Sequence, residues 1–585
     1  MRRFFVGLLA VIGFFTILGI GGLVLLGSVM GGSHPTVSER TVLKLDWRQL
    51  PGEEGVSGGG LFGPQGATLA QTVDALRRAA ADKRVMGLVA IVGGGGPGIA
   101  SVQELREAIA FFRAAGKFTI VYTESFDIGP GGLRNWYLAT AFEQIWLQPS
   151  GDFGVVGIAA QVPFLKGGLD KLGVRFEGGR RMEFKSAPNT FLETGFTPQH
   201  RQNLQSLIDG LFGQVIDDVA RTRNLQAAEL RKLIDSAPLA PSDALSAKLV
   251  DKVGYRDEVM AEVERRAGRK DALYEFTDYL QDSVVRSRSG EAIALVMIDG
   301  AIVSTDEGAS PLTGSRVAAA DKIAKAIDEA AGDTTIKALV VRIDSPGGSP
   351  SASDTIRRAI ERAKQKGKPV VVSFGDVAAS GGYYAALPAD VIVAQRGSIT
   401  GSIGVFGLKP VISDLLDSLS IKVETVNAGA NAAMNSATLG YTPQQQAIVD
   451  RMLDRIYADF TRKVADARKL DATRLDAAAR GRVFTGADAK AAGLVDELGG
   501  LTLAIAFAKA KAGIDAARDV HVRRFPAPKS RVEQLMELLT GQRTEQAARG
   551  EMQRMTMEIS RRLGNLPLTW QADAMRLPPL PPLWD

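Results

Sequence analysis

Lys337-Ala338-Leu339-Val340-Val341-Arg342-Ile343-Asp344, followed by Ser345-Pro346-Gly347-Gly348, decides the fold. The first stretch is a short β-branched run and the second is a turn, so together they read as a strand that ends abruptly. Ile356, Ala359, Ile360 and Ala363 then recur at helical spacing. Gly367 stands where that helix should stop, because glycine takes the left-handed conformation of a C-terminal cap without steric cost. Pro369-Val370-Val371-Val372-Ser373-Phe374 is the next strand, and small residues lead from it into another helix. Strand, helix and strand at this spacing imply parallel β-α units and an α/β protein.

The same order occurs earlier in the chain. Gly87-Leu88-Val89-Ala90-Ile91 and Phe118-Thr119-Ile120-Val121-Tyr122 are two such strands. Gly116-Lys117 before the second of them matches Gly367-Lys368, an offset of 251. Further on, Phe196-Thr197-Pro198-Gln199 returns as Tyr441-Thr442-Pro443-Gln444, and Leu249-Val250-Asp251 as Leu494-Val495-Asp496, both at an offset of 245. The chain is therefore an internal duplication, and the second copy is about six residues shorter between these landmarks. Repeats this long are duplicated domains and not the units of a solenoid. The expected boundaries are 36–280 for the first copy and 285–515 for the second. Residues 516–585, rich in Met and Arg and finally in Pro, form a tail of uncertain structure.

Composition narrows the function classes. Charged residues make up 23% and apolar residues 45% of the 585, as in a globular protein. A net charge of +5 is mild for this length, and no basic stripe with interleaved aromatics suggests nucleic acid. The absence of cysteine excludes disulfides, thiolate metal sites and a thiol nucleophile. His34, His200 and His521 are scattered, with no metal-ligand spacing. No cofactor is expected. From Phe4 to Met30 no charged residue occurs, and a bilayer core needs about 20 helical residues. Residues 1–35 thus read as a single transmembrane anchor. Arg2 and Arg3 precede it, which keeps the N-terminus cytoplasmic and puts the body across the membrane. A cleaved signal peptide is the competing reading, although its apolar region is usually only about 7–15 residues.

Duplication supplies an internal control: a polar residue kept by one copy alone is not explained by shared packing. Ser380 lies in Ala378-Ala379-Ser380-Gly381-Gly382-Tyr383-Tyr384 at a strand-to-helix junction. By itself this could be an ordinary serine N-cap. The first copy has Gly129-Pro130-Gly131-Gly132-Leu133-Arg134 here and no equivalent serine. Small neighbours would let a substrate backbone approach, and the Gly381 amide could face developing negative charge. Asp344-Ser345-Pro346-Gly347-Gly348 is either a plain Pro-Gly turn or one whose amides point outward, as an oxyanion hole needs. A nucleophilic serine needs a base, and no histidine has a motif context. Lys185, in Phe184-Lys185-Ser186, is the alternative to a merely solvated charge: no lysine lies between Lys422 and Lys463, so the second copy has no counterpart. The first copy keeps the lysine without the serine, and the second does the reverse.

At these residues the sequence resembles the long, duplicated form of the signal peptide peptidase A family. The matching stretches are Asp344–Gly348, Ala379-Ser380-Gly381-Gly382-Tyr383, Thr400-Gly401-Ser402-Ile403-Gly404 and Phe184-Lys185-Ser186. The resemblance implies two tandem Clp-protease/crotonase-like domains after a transmembrane helix. It implies a serine endopeptidase with a Ser–Lys dyad, Ser380 as nucleophile and Lys185 as general base. It further implies Ser402 as the residue that orients the lysine, and Gly347 and Gly381 as oxyanion donors, with Gly348 able to serve in place of Gly347. The expected substrates are cleaved signal peptides and other apolar peptides, and the expected assembly is a homotetramer at the inner (cytoplasmic) membrane with its body periplasmic or extracytoplasmic. A crotonase-like acyl-CoA enzyme and a catalytically silent membrane scaffold are the other readings, since fold alone does not fix function.

Overall fold

The structure, a computed structural model, describes residues 37–53, 66–280, 291–305 and 317–527. The expected anchor lies outside these residues. Among the described residues no helix is long and apolar enough to cross a membrane.

Each copy builds one mainly parallel sheet. In the first, the strands run in the spatial order Lys252–Val253, Gln144–Leu147, Phe118–Thr123, Val85–Val92, Thr41–Trp47, Leu273–Glu275, all parallel. The second follows the same plan around Ile336–Ser345, which lies between Ala292–Asp299 and Val370–Ala379. Both central strands are apolar on both faces because helices cover both sides, as in a buried parallel sheet. Accordingly each sheet has two core clusters, one per face.

The helix expected after the Pro-Gly-Gly turn spans Pro350–Gln365 and ends before left-handed Gly367. Its match, Ile99–Ala114, lies 251 residues earlier at both ends. A pair of long helices, Pro198–Arg223 and Pro443–Arg468, repeats at 245. Each starts with a threonine N-cap followed by proline, which fits the first turn because its missing N–H has no helical partner there.

The second copy reaches past 515. The strand His521–Phe525 pairs with Ala292–Val296 and closes the sheet as Leu273–Glu275 closes the first. Five residues with two arginines carry little hydrophobic signal, so the sequence groups them with the tail.

The copies are held together by polar contacts that hydrophobic pattern does not reveal. Arg342, fully buried in a central strand, donates to Glu53 at 2.9 and 2.5 Å and to Glu104 at 2.5 Å. Glu104 also accepts the Leu501 N–H at 2.9 Å. Burial pushes the Glu104 carboxyl up to about 7 despite the guanidinium beside it. Asp376 of the second copy caps the helix Ile99–Ala114 of the first, accepting from Gly98 N, Ser101 N and Ser101 Oγ at 2.7–2.9 Å. Finally, Arg175–Arg181 of the first copy pairs antiparallel with Val405–Val411 of the second.

Candidate active site

Ser380 terminates one strand and starts a helix. The strand runs to Ala379 and the helix begins at Gly381. Ser380 itself has φ 53° and ψ −117°, a conformation that a non-glycine residue adopts only when its surroundings impose it. Its N–H donates to Gly401 O at 2.8 Å, which fixes the turn against the neighbouring strand. Asp344 accepts the Val377 N–H at 2.9 Å, tying the glycine turn to the same strand. Burial and the nearby carboxylates of Asp376, Glu53 and Asp299 push the Asp344 carboxyl well up.

Lys185 reaches this place from the other copy. The register of the cross-copy strand pair sets Arg181 opposite Val405. Lys185, four residues after the first, therefore meets Ser402, three residues before the second. Lys185 Nζ lies 3.1 Å from Ser380 Oγ, 2.9 Å from Ser402 Oγ and 3.1 Å from Ser402 O. The lysine is 4% exposed. Burial is the sole cause that lowers its pKa, from 10.5 to about 7. No carboxylate pulls the other way, so the neutral amine is well populated near neutral pH.

Two glycines outside the expected set of site residues enclose the lysine. A Cβ on Gly481, whose φ is +83°, would fall 2.4 Å from Lys185 N and 2.7 Å from its Cα and Cβ. A Cβ on Gly404 would fall 2.8 Å from Arg181 O and 3.2 Å from Lys185 Cδ. Gly404 belongs to a quoted motif, but Gly481 stands in Arg480-Gly481-Arg482, where nothing local marks it.

Around Ser380 the backbone approaches closely. A Cβ on Gly347 would sit 2.6 Å from Gly381 N and 2.9 Å from Ser380 Cβ. A Cβ on Gly381 would sit 2.3 Å from Ser353 Oγ and 3.1 Å from Gly348 N. The Gly347 N–H donates to Ser345 Oγ at 3.1 Å. The N–H groups of Gly348 and Gly381 have no hydrogen-bond partner among the described residues. The structure thus brings Ser380, Lys185, Ser402, Gly347, Gly348 and Gly381 into one place, from motifs as much as 217 residues apart.

Comparisons with known proteins identify the family. Peptidase family S49 matches residues 114–270 and 362–515, once in each copy. Protease 4 of Salmonella typhi is 30% identical over 555 residues, covering 90% of this chain and 86% of its own length. The chloroplastic serine protease SPPA of Arabidopsis thaliana is 30% identical over 484 residues, covering 81% and 70%. Protease 4 of Haemophilus influenzae is 29% identical over 478 residues, covering 79% and 75%. A hydroxyl and a buried, uncharged-leaning lysine at hydrogen-bond distance, in a chain matched twice by one peptidase family, lead to one conclusion: the chain belongs to peptidase family S49 and is a serine-type peptidase of the SppA kind.

Proposed function

We propose that Ser380 is the nucleophile and Lys185 its general base, and that the site hydrolyses apolar peptides such as cleaved signal peptides. The observation that carries this is the environment of Lys185 Nζ. A neutral amine has two N–H groups and one lone pair. Ser402 offers two acceptors, its Oγ and its O, at 2.9 and 3.1 Å. With both N–H groups so directed, the lone pair is left for the Ser380 hydroxyl proton at 3.1 Å.

The reaction is then acyl transfer. Lys185 takes the Ser380 proton as Oγ bonds to the peptide carbonyl carbon, and the carbonyl π pair moves to oxygen. The N–H groups of Gly381 and Gly348 donate to that oxyanion; Gly347 is the poorer candidate because its N–H is engaged by Ser345. Lys185 returns the proton to the departing amine, and the C–N bond breaks. Water, deprotonated by Lys185, then attacks the ester, and Ser380 regains its proton as the acid leaves.

The placement belongs to the same proposal. Phe4–Met30 anchors the chain in the inner membrane, with the body outside the cytoplasm, where apolar peptides left in the bilayer are within reach. The assembly is a homo-oligomer, a tetramer by resemblance to the family, of two Clp-protease/crotonase-like domains per chain. Parallel sheets covered on both faces support that fold reading.

Ser380→Ala is the test. Hydrolysis of an apolar peptide should fall by at least about 10³-fold, with the far-UV spectrum of the parent. Turnover within a few-fold of the parent would refute the assignment.

A further inference from the structure

Both halves of the dyad are tied to one helix, Pro443–Arg468. On the lysine side, Arg181 precedes Lys185 by four residues and pairs with Val405 in the cross-copy strands. Its Nε donates to Asp454 Oδ1 at 2.5 Å, and its Nη2 donates to Asp450 O and Oδ1 at 2.9 and 3.1 Å. Tyr457 of the same helix accepts the Arg480 N–H on its hydroxyl at 3.2 Å. Arg480 in turn pairs with Glu183 at 2.6 Å, and its carbonyl accepts the Phe184 N–H at 3.2 Å. Asp450, Asp454 and Tyr457, spaced by four and three residues, form one stripe of the helix. That stripe holds the residues just before Lys185, directly or through Arg480.

On the serine side, the carbonyl of Ser380 accepts the Tyr384 N–H at 2.9 Å in the first turn of Gly381–Ala386. The Tyr384 hydroxyl lies 2.9 Å from Asp459 Oδ2 of the long helix and 3.0 Å from Asp354 Oδ1. Lys463 Nζ donates to the same two carboxylates at 2.7 and 3.2 Å, and to the hydroxyl. The Tyr384 ring packs edge-on against Phe460, with centroids 5.0 Å apart. Asp354 belongs to Pro350–Gln365, so the network also reaches the helix that follows the Gly347-Gly348 turn. Asp459 and Lys463 follow Asp450 and Asp454 by nine residues, about two and a half helical turns. The two pairs therefore leave the helix on opposite sides.

The duplication again serves as a control. At the offset of 251, Leu133 stands for Tyr384 and Gln103 for Asp354; at 245, Gln214 stands for Asp459. Gln103 Nε2 donates to Gln214 Oε1 at 3.1 Å, so the first copy joins the same helices through a neutral amide pair without a hydroxyl. Arg181 has exposed Ala428 as its counterpart, at the offset of 247 that relates Lys166–Lys171 to Ser413–Ser418. Arg181 thus occurs in the copy that carries the lysine, and Tyr384 in the copy that carries the serine.

We propose that Arg181 and Tyr384 are positioning residues that clamp the helix Pro443–Arg468 from opposite sides, so that this helix sets the separation of Lys185 Nζ and Ser380 Oγ. The inference rests on the dyad reading above. An isolated surface ion pair contributes little, but here one planar guanidinium grips two carboxylates and a carbonyl, which fixes direction as well as distance. The side chains of Asp450 and Asp454 are 43% and 64% exposed, so losing the guanidinium leaves no buried charge behind. What it removes is the placement of Lys185.

Hydrolysis of an apolar peptide by the full chain, followed from about pH 6 to 9, tests the clamp. In Arg181→Met, kcat should fall by roughly 10²-fold, the cost of a shift on the order of 1 Å, with KM within a few-fold of the parent. A displaced Lys185 is less buried, so the acid limb of the profile should move up from about 7. Asp454→Asn should move that limb the same way, and the double variant should cost no more than Arg181→Met alone. Tyr384→Phe keeps the ring and removes the hydroxyl. It should lower kcat by roughly 10-fold and leave the limb in place, because it acts on Ser380. An unmoved limb in Arg181→Met would overturn the clamp and leave the dyad standing. So would a loss of kcat matched by an equal loss of sites that a fluorophosphonate can label. A parent with no acid limb near pH 7 would overturn the dyad reading, and the clamp with it.

Discussion

The turn after Ile336–Ser345 and the turn after Val85–Val92 follow matching paths with different chemistry. The helices after them, Pro350–Gln365 and Ile99–Ala114, coincide end to end at an offset of 251. That offset puts Pro97 in the place of Gly348. The next helices start alike, at Gly381 after Ser380 and at Pro130 after Gly129. Proline has no N–H. The first copy therefore lacks the hydroxyl and both candidate amide donors, while the strand–turn–helix frame remains. At the lysine the pattern is reversed: the helices Lys166–Lys171 and Ser413–Ser418 match at an offset of 247, which puts exposed Ala432 where the first copy has buried Lys185. Each copy supplies what the other lacks, so the candidate site forms only where the two meet. That places the demand for rigidity on the contacts between copies, and the following changes probe it.

The largest effect should come from Lys185. Lys185→Arg keeps a permanent charge and should lower kcat/KM by roughly 10²–10⁴-fold. Parent activity should fall as pH drops through about 7, where Lys185 protonates. Stability has the matching sign. The folded-state value is depressed, so the unfolded chain binds the proton more readily between pH 7 and 10.5, and stability rises with pH across that window. Lys185→Met should thus be inactive yet more stable at pH 7, by on the order of 4 kcal/mol before relaxation. Denaturant titration would check the gain, and a peptide assay of Lys185→Arg at parent rate would break the comparison.

Next comes the contact that locks the copies. Arg342 has Ile91 as its counterpart at the offset of 251. Arg342→Ile would restore symmetry but leave Glu53 and Glu104 buried without their cation, costing about 3–5 kcal/mol. Removing the guanidinium removes what holds the Glu104 carboxyl down, so the deficit should shrink as pH falls toward about 7, where Glu104 also protonates in the parent. An unchanged urea midpoint at pH 8 would show that the triad does not hold the copies together.

Gly481→Ala should be the mildest. Its Cβ would press on the Lys185 backbone and displace the amine. A shift on the order of 1 Å costs about 10²-fold, so kcat/KM should fall by roughly that factor with binding of an uncleaved peptide analogue retained. Parent-like kinetics would mean that the lysine loop is not positioned by this contact.

These contrasts also mark what the sequence made legible. The strands around Lys337–Asp344 and Gly87–Ile91 were readable because both of their faces are apolar. Ser380 and Lys185 stood out because each is present in one copy and missing from the other. The strand Arg175–Arg181 was hidden: Arg-Phe-Glu-Gly-Gly-Arg-Arg has no alternation, and its pairing comes from a partner in the other copy. Arg342 reads as an oddity within an apolar strand, since its acceptor Glu53 is 289 residues away. Gly481 was invisible because its demand is steric and the crowding atoms belong to a distant segment.

The proposed chemistry requires Lys185 of one copy to activate Ser380 of the other. Labelling with a fluorophosphonate probe at pH 8, read by mass spectrometry of the digested protein, tests this most directly. A single adduct on the peptide containing Ser380 is expected in the parent, with a loss of about 10²-fold or more in labelling rate in Lys185→Met. An adduct on a different serine, or undiminished labelling of Ser380 in Lys185→Met, would contradict it.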